Sequence, residues 1–422
     1  MLLIADKLEY EEEQEETAEE FEENRLRRRY EHTAGRPQTP RKRFNHGQAK
    51  QNILHDWLGP SPLYSDEEFK GKFRISRARF QKILEDVKGL NKSFYSEARN
   101  ITNQPVASIE ARLLLALECL DYGVSAKSMA THYKMSANLA IQACKEFDNV
   151  IGELYEEEFL RVPTAEDLRN ISKLHESKFG VKGLFAFLDC CHSQWHKCPK
   201  AHQGSYKGKE GKTTIVLEAA SDYNRWFWHT AYGFTGAMND INILRRSPLI
   251  ERLIDGSFVQ VEKQSGVVPF QIGENEFDKC FFLTDGIYPK YSRFVKGLSA
   301  PISHADKSFN SWQEGARKAI EGAFGNLEQK FKFFSSPINL WNVDTIAKRV
   351  RTCLILHNMT VSDRVMNGDV NARYDPSASV QHTAVHVNGD TGARHNDAAH
   401  LVIGANVEVT LADDMVQLWK SL

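Results

Sequence analysis

From about residue 51 onward the apolar residues of this chain fall into the periods of regular structure. Over 66–90, Phe69, Phe73, Phe80, Ile83 and Leu84 recur at roughly helical spacing. The stretch 107–151 predicts three helices. ASIEARLLLALECLDYG is the first, closed near Gly123, where a left-handed residue ends a helix at least cost. Ser125 caps a short second helix, AKSMATHYKM, and Ser136 caps a third, ANLAIQACKEFDNVIGEL. Two short helices joined by a tight turn make a helix-turn-helix pattern, whose second helix enters the major groove of DNA. That last helix offers Lys145 and few other cations, so a purely structural helical layer stays open beside DNA binding.

Composition shifts over 160–183, and the period then changes to that of strands. LFAFL (184–188) is a short buried run delivering Asp189 at its end. TTIVLEAA (213–220) and WFWHTAYGF (226–234) flank the turn-rich SDYNR and predict an antiparallel hairpin. A helical stretch begins near Asp240, with Ile241, Leu244 and Leu249 apolar. CFFLT (280–284) is another buried strand, delivering Asp285. SWQEGARKAIEGAFGNLEQKF (311–331) and a segment over 343–358 complete the set as helices. Strands interleaved with helices, hairpin first, indicate an α/β or α+β domain on a mixed sheet. The tail over 362–408 is rich in Asn, Asp, Gly, Ala and His and reads as mostly irregular, with TLADDMVQLWKSL (410–422) able to close the chain as a short helix.

Charge changes the picture at one end only. Residues 1–24 carry eleven acids and one lysine, and residues 25–50 carry nine Lys or Arg against one Glu, leaving 44 of each sign for the remaining 372 residues. Such an arm, acidic and then basic, cannot bury a core, and disorder is expected over 1–50. Arg41, Lys42 and Arg43 behind Pro40 form a candidate nuclear-import or phosphate-binding patch. The chain starts with four apolar residues and then turns acidic, which is not a secretory pattern, and its seven cysteines are an odd number, so reduced thiols inside a cell are expected. No run approaches eighteen apolar residues, which excludes a transmembrane helix of ordinary composition.

The chemistry concentrates in acids. Asp189 and Asp285 follow buried runs, Asp240 lies between a strand and a helix, and Glu321 sits beside the core position Ile320, with Arg317 and Lys318 one turn earlier. Carboxylates converging without histidine suit hard cations, Mg2+ or Mn2+. Two such ions ~4 Å apart activate a water or hydroxyl and stabilise the leaving oxygen of a phosphodiester. Taken singly, each Asp could be a turn or cap residue; as a set they point to a nuclease. A rival cluster, Cys190, Cys191, His192, His196, Cys198 and His202, lacks the paired CxxC spacing of structural zinc, and adjacent Cys190 and Cys191 in a strand face opposite ways. The segment after it carries Lys197, Lys200, Lys207, Lys209 and Lys212 around Tyr206, as a phosphate-tracking loop would.

FLDCCHSQWHKCPKAHQGSYKGKEGKTTIVLEAASDYNRWFWHTAYGFTGAMNDINILRRSPL, followed in order by LTDGIYPKYSRFVK, ARKAIEGAFGNLEQKF and LILHNM, resembles the nuclease domain of the PIF/Harbinger-type DDE transposases, in their plant-transposon branch. PTAEDL (163–168) is similar as well, and the resemblance spans roughly 70 to 362. It implies an RNase H-like nuclease core, two divalent metal ions, and cut-and-paste movement of a DNA element in the nucleus. It further implies DNA as partner, a Myb-like protein encoded by the same element, and a homo-oligomer on DNA, with no membrane involved. The matching acids are Asp189, Asp240, Asp285 and Glu321. Gly322 departs from the pattern, a charged residue being more usual after the glutamate.

The expected organisation is therefore an arm over 1–50, a helix-turn-helix-like domain over 51–160, the RNase H-like domain over 161–361, and a mostly irregular tail over 362–422. In RNase H-like nucleases the middle aspartate follows the fourth strand, which favours Asp285 with Asp189 and Glu321 as principal ligands and puts Asp240 at the cluster's edge. The alternative function is that of a domesticated relative that binds DNA or a partner in the nucleus without cutting.

Overall fold

The computed structural model describes residues 44–96, 106–208, 210–272, 275–366 and 368. Two compact units divide the chain, 1–45 and 46–422, and the elements described belong to the second. The arm expected over 1–50 thus lies almost wholly outside the described residues. Its last residues do not share its character: helix α1, His46–Ile53, begins inside it, because Ala49 and Ile53 are buried.

Two helices, α2 (Asp66–Phe73) and α3 (Arg77–Gly89), divide the 66–90 pattern. Arg74 in a left-handed conformation (φ 61°) breaks them, and Ser76 caps the second. Ser108 opens α4 (Ile109–Tyr122), and Gly123 (φ 62°) ends it. No alanine fits there without a shift, since its Cβ would lie 2.9 Å from the Lys332 carbonyl oxygen. Ser125 and Ser136 cap α5 (Ala126–Ala130) and α6 (Ala137–Phe159), as expected, although α5 is only five residues long. Helix α4 is buried almost all round, and its charges are paired inside: Glu118 with Lys72, Asp121 with Arg74, Glu110 with Lys88.

A helix lies within the 160–183 stretch, where composition marks only a shift of character: α7 (Ala165–Phe179). The capping box of Thr164 and Asp167 starts it, and Leu168, Ile171 and His175 face inward. His175 is fully buried, bonded through Nδ1 to the Leu184 carbonyl (2.9 Å) and accepting at Nε2 from the Tyr223 amide (3.0 Å). Burial holds it neutral, with its pKa down at about 4.

The main sheet contains β1 (Leu184–Gln194), β2 (Thr214–Ser221), β3 (Phe227–Thr235), β6 (Phe281–Leu283) and β7 (Phe294–Val295), in the order β3-β2-β1-β6-β7. Strands β1 to β3 are antiparallel; β6 and β7 run parallel to β1. A short α8 (Gln203–Tyr206) lies in the β1–β2 connection; between β3 and β6 come α9 (Asp240–Arg245), α10 (Pro248–Ile254), α11 (Ser257–Ser265) and a separate two-stranded ladder, β4 (Phe270–Ile272) with β5 (Asn275–Phe277). Helices α12 (His304–Lys330), α13 (Lys332–Ser335) and α14 (Val343–Met366) finish the described chain. The chain is thus an α+β fold on a mixed sheet, as the alternation of strand and helix patterns and the RNase H-like resemblance both require.

One expectation needs correction. The strand announced by LFAFL does not end at Leu188 but runs to Gln194. Strand β6 pairs with it only over Leu184–Phe187, whereas β2 pairs with it from Phe187 to Gln194. Asp189 therefore sits inside β1, where the sheet stops being flanked on both sides.

Helix α12 covers one face of the sheet with Ala316, Ile320, Ala323, Phe324 and Leu327. The same apolar core continues without interruption into α4 and α6, and through α14. The opposite face packs Leu188, Ala186 and Phe282 against α7, α10 and α11. Among the described residues no helix is long and apolar enough to cross a membrane.

Candidate active site

Helix α12 brings its polar chemistry to the sheet as a stripe. Gln313, Arg317 and Glu321 are spaced by four residues and so share one face. Gln313, buried, donates from Nε2 to the Thr284 carbonyl (2.9 Å), immediately before Asp285, and so fixes the end of β6 to the helix. One turn on, Arg317 Nη1 donates to Asp189 Oδ2 (2.8 Å), and Nη2 contacts Glu321 Oε1 (3.0 Å). Asp189 Oδ1 accepts from the Cys190 amide (2.9 Å). Glu321, with half of its side chain exposed, faces solvent.

Asp285 extends from the parallel neighbour of β1, two residues past the pair Leu283–Phe187, just as Asp189 lies two residues past Phe187. The two acids therefore occupy equivalent points on adjacent strands, where such sheets place ligand-binding groups. Asp285 is exposed, and its Oδ1 accepts from the Gly286 amide (2.7 Å). Behind β6, the buried pair of Arg293 and Glu262 anchors the strand: Arg293 Nη2 meets Glu262 Oε2 at 2.8 Å, and Glu262 Oε1 accepts from the Cys280 amide at 2.7 Å. Asp240 is half-buried at the start of α9, where the Asn239 side chain caps the helix.

Electrostatics ties these acids together. Burial pushes the Asp189 carboxyl up to about 6; the Cys190 amide and the Arg317 guanidinium oppose the rise, and the charges of Asp285 and Asp240 add to it. One guanidinium is too little positive charge to restore an ordinary carboxylate at this point. All the converging donors are carboxylate oxygens, which fits a hard divalent cation. Among the described residues, however, no three His, Cys, Asp or Glu side chains are arranged to hold one ion. Arg317 occupies the space between Asp189 and Glu321.

The histidine and cysteine cluster is spread by the alternation of β1. Cys190 points to one face, 3.4 Å from Tyr288 Oη, and Cys191 to the other, 3.7 Å from Glu328 Oε1 on α12. His192 meets Thr214, and His196 meets Asn339. The lysine-rich loop places Lys197, Lys200, Lys207 and Lys212 in solvent; Lys209 lies outside the described residues.

Three features escape a reading from spacing alone. Arg317 was visible only as a neighbour of Glu321, although the i, i+4 interval already permits their contact. Glu218, opposite Cys190 on β2, is fully buried; its Oε2 meets His229 Nε2 at 3.1 Å, and Ser247 Oγ reaches the same nitrogen at 3.2 Å. A single charge in the apolar run TTIVLEAA was its signal. Gly322, the departure from the transposase pattern, faces Arg225: a Cβ there would lie 3.2 to 3.4 Å from that guanidinium. The glycine leaves room for that guanidinium.

Comparison with known proteins identifies the family. Residues 157–367 match the family described as plant transposon protein, a span of half the chain. "Protein ALP1-like" of Arabidopsis thaliana is 20% identical over 302 residues, 69% of this chain and 70% of that protein. No solved structure matches.

Proposed function

Because this chain belongs to the plant transposon protein family, a group of transposase-derived proteins of PIF/Harbinger type, we propose that it is a divalent-metal-dependent DNA transposase, cutting and joining phosphodiester bonds at the ends of a mobile element. The observation that carries the reading is the alignment of Asp189 and Asp285 on adjacent strands beneath the Arg317–Glu321 stripe of α12. Asp189, Asp285 and Glu321 would hold two Mg2+ or Mn2+ ions, with Asp240 at the edge. Bound there, the ions supply activation of a water or 3′-hydroxyl and stabilisation of the leaving oxygen.

The protein's own residues do the rest. Gln313 holds the Asp285 strand end at a set distance from α12. Phe187, fully buried on the same face of β1 as Asp189, gives the site a dry floor that strengthens every charge interaction above it. The exposed lysines of the 196–212 loop suit the phosphates of flanking DNA. DNA, nuclear residence, a Myb-like partner and assembly of several copies on the element's ends belong to the same proposal.

The test is cleavage of duplexes carrying candidate terminal repeats, with and without Mg2+. Metal-dependent nicking that disappears in Asp189→Asn and Glu321→Gln supports the enzyme. Sequence-specific binding without nicking, in wild type and variants alike, would instead identify a domesticated DNA-binding protein.

A further inference from the structure

We propose that Arg317 is an exchangeable counter-ion: its guanidinium holds Asp189 and Glu321 together before metal arrives and gives up both carboxylates when a divalent cation takes them. The proposal rests on the metal-site reading above. Its basis is the division of one guanidinium between two acids, Nη1 to Asp189 Oδ2 at 2.8 Å and Nη2 to Glu321 Oε1 at 3.0 Å. These are the two acids that strand position and helix spacing most plainly assign to the ions. A guanidinium has donors and no acceptors, so it can satisfy carboxylates but never join them in ligating a cation. Held between them, it repels an incoming cation strongly at such short range.

The exchange needs no change of fold. Helix α12 is fastened to the core by Ala316, Ile320, Ala323 and Leu327, and Arg317 takes no part in that apolar packing. Its side chain is about one-fifth exposed, so rotation of the stem carries the head toward solvent. Once freed, the planar fork is beside the place where a scissile phosphate must lie, and that geometry suits two phosphate oxygens at once. The same residue thus assembles the acids in the resting enzyme and meets DNA in the loaded one.

The experiment is titration of the purified full-length protein with MnCl2 by calorimetry, without DNA, so that cleavage is not the readout. Arg317→Gln removes the competing charge and should bind Mn2+ at least tenfold more tightly than wild type, with Arg317→Lys between the two. A merely structural arginine would give the opposite result, because the acids would drift apart without it. Equal or weaker binding by a folded Arg317→Gln protein overturns the proposal. Should the Gln variant fail to fold, Arg317→Lys decides: tighter binding than wild type supports the exchange, and unchanged or weaker binding overturns it. Asp189→Asn separates the two levels. Loss of Mn2+ binding there, with no gain in Arg317→Gln, leaves the metal site standing and sinks the exchange alone. Undiminished binding in Asp189→Asn sinks both.

Discussion

Replacing Asp189 by asparagine should make the metal-free protein more stable while removing its activity. The Asp189 carboxyl ionises near 6 when folded and near 3.8 when unfolded, chiefly because it is buried. A carboxyl whose folded pKa is raised binds its proton more tightly in the folded state, so its contribution to stability falls as pH climbs from about 4 to 6 and then stays flat. At 1.36 kcal/mol per pH unit the cost of holding it ionised at pH 7.5 is ~3 kcal/mol, net of the help from Arg317. Asparagine has nearly the same shape, keeps one acceptor for either the Arg317 guanidinium or the Cys190 amide, and carries no charge to desolvate. With an unfolding entropy of ~2.1 cal/mol/K per residue over roughly 300 ordered residues, ~3 kcal/mol corresponds to a Tm rise of ~5 °C. The assay is thermal unfolding of both proteins in EDTA at pH 7.5 and again at pH 4.5, where the difference should shrink to ~1 kcal/mol, about a third of its value. Mg2+ at a thousandfold excess over Kd should then reverse the order, because only wild type gains the ~4.1 kcal/mol of binding, more than the ~3 kcal/mol difference. An Asp189→Asn protein less stable than wild type at pH 7.5, by a margin that does not change with pH, would refute the reasoning.

Asp285→Asn should lower Mg2+-dependent cleavage by at least ~100-fold while Asp240→Asn keeps a measurable part of it, and the reverse order in a nicking assay would overturn the choice of middle acid. Arg349→Ala strands the buried Asp148, whose carboxyl loses its 2.9 Å bond to Arg349 Nε, and should cost ~3–5 kcal/mol in urea unfolding, a loss that Asp148→Leu with Arg349→Met should largely restore. Asn138, Gln142 and Lys145 lie on the outward face of α6, and their joint replacement by alanine should weaken binding to a terminal-repeat duplex by ~10-fold or more while leaving a scrambled duplex little changed, as read by fluorescence anisotropy. Replacing Arg41, Lys42 and Arg43 by alanine should reduce nuclear accumulation of the protein expressed alone; undiminished nuclear signal in imaged cells would remove the arm from that role.

Much of the fold could be read from local patterns because the elements carry their own punctuation. Ser125 and Ser136 cap helices where the sequence places them, and Gly123 takes the left-handed conformation its position demands. What escaped depended on partners far along the chain. The second half of β1 is polar, DCCHSQ, and is a strand only because β2 supplies a ladder for it. Helix α7 did announce itself, through Thr164 and Asp167 and the spacing of Leu168, Ile171 and His175, but composition alone marks 160–183 only as a change of character. The pair β4–β5 and the two-residue β7 are too short to leave a periodic trace. At the site, spacing singled out Asp189, Asp285 and Glu321 as a group, whereas the role of Arg317 emerges only when α12 is laid across β1.

The shared core of α6 and α14 has a consequence during synthesis. Asp148 and Arg349 are 201 residues apart in sequence, and the Asn358 side chain, farther on still, bonds the Phe159 carbonyl at 2.7 Å. At the usual ~5–20 residues per second, a ribosome needs ~10–40 s to travel between the two helices. Throughout that interval the side of α6 around Asp148 and Phe159 is made before the helix that covers it has been translated. The nascent chain therefore passes through a long window with that side uncovered. A stop codon just before residue 343 would release a protein holding every proposed metal ligand but lacking that cover, a substrate for chaperones and proteases rather than for DNA chemistry.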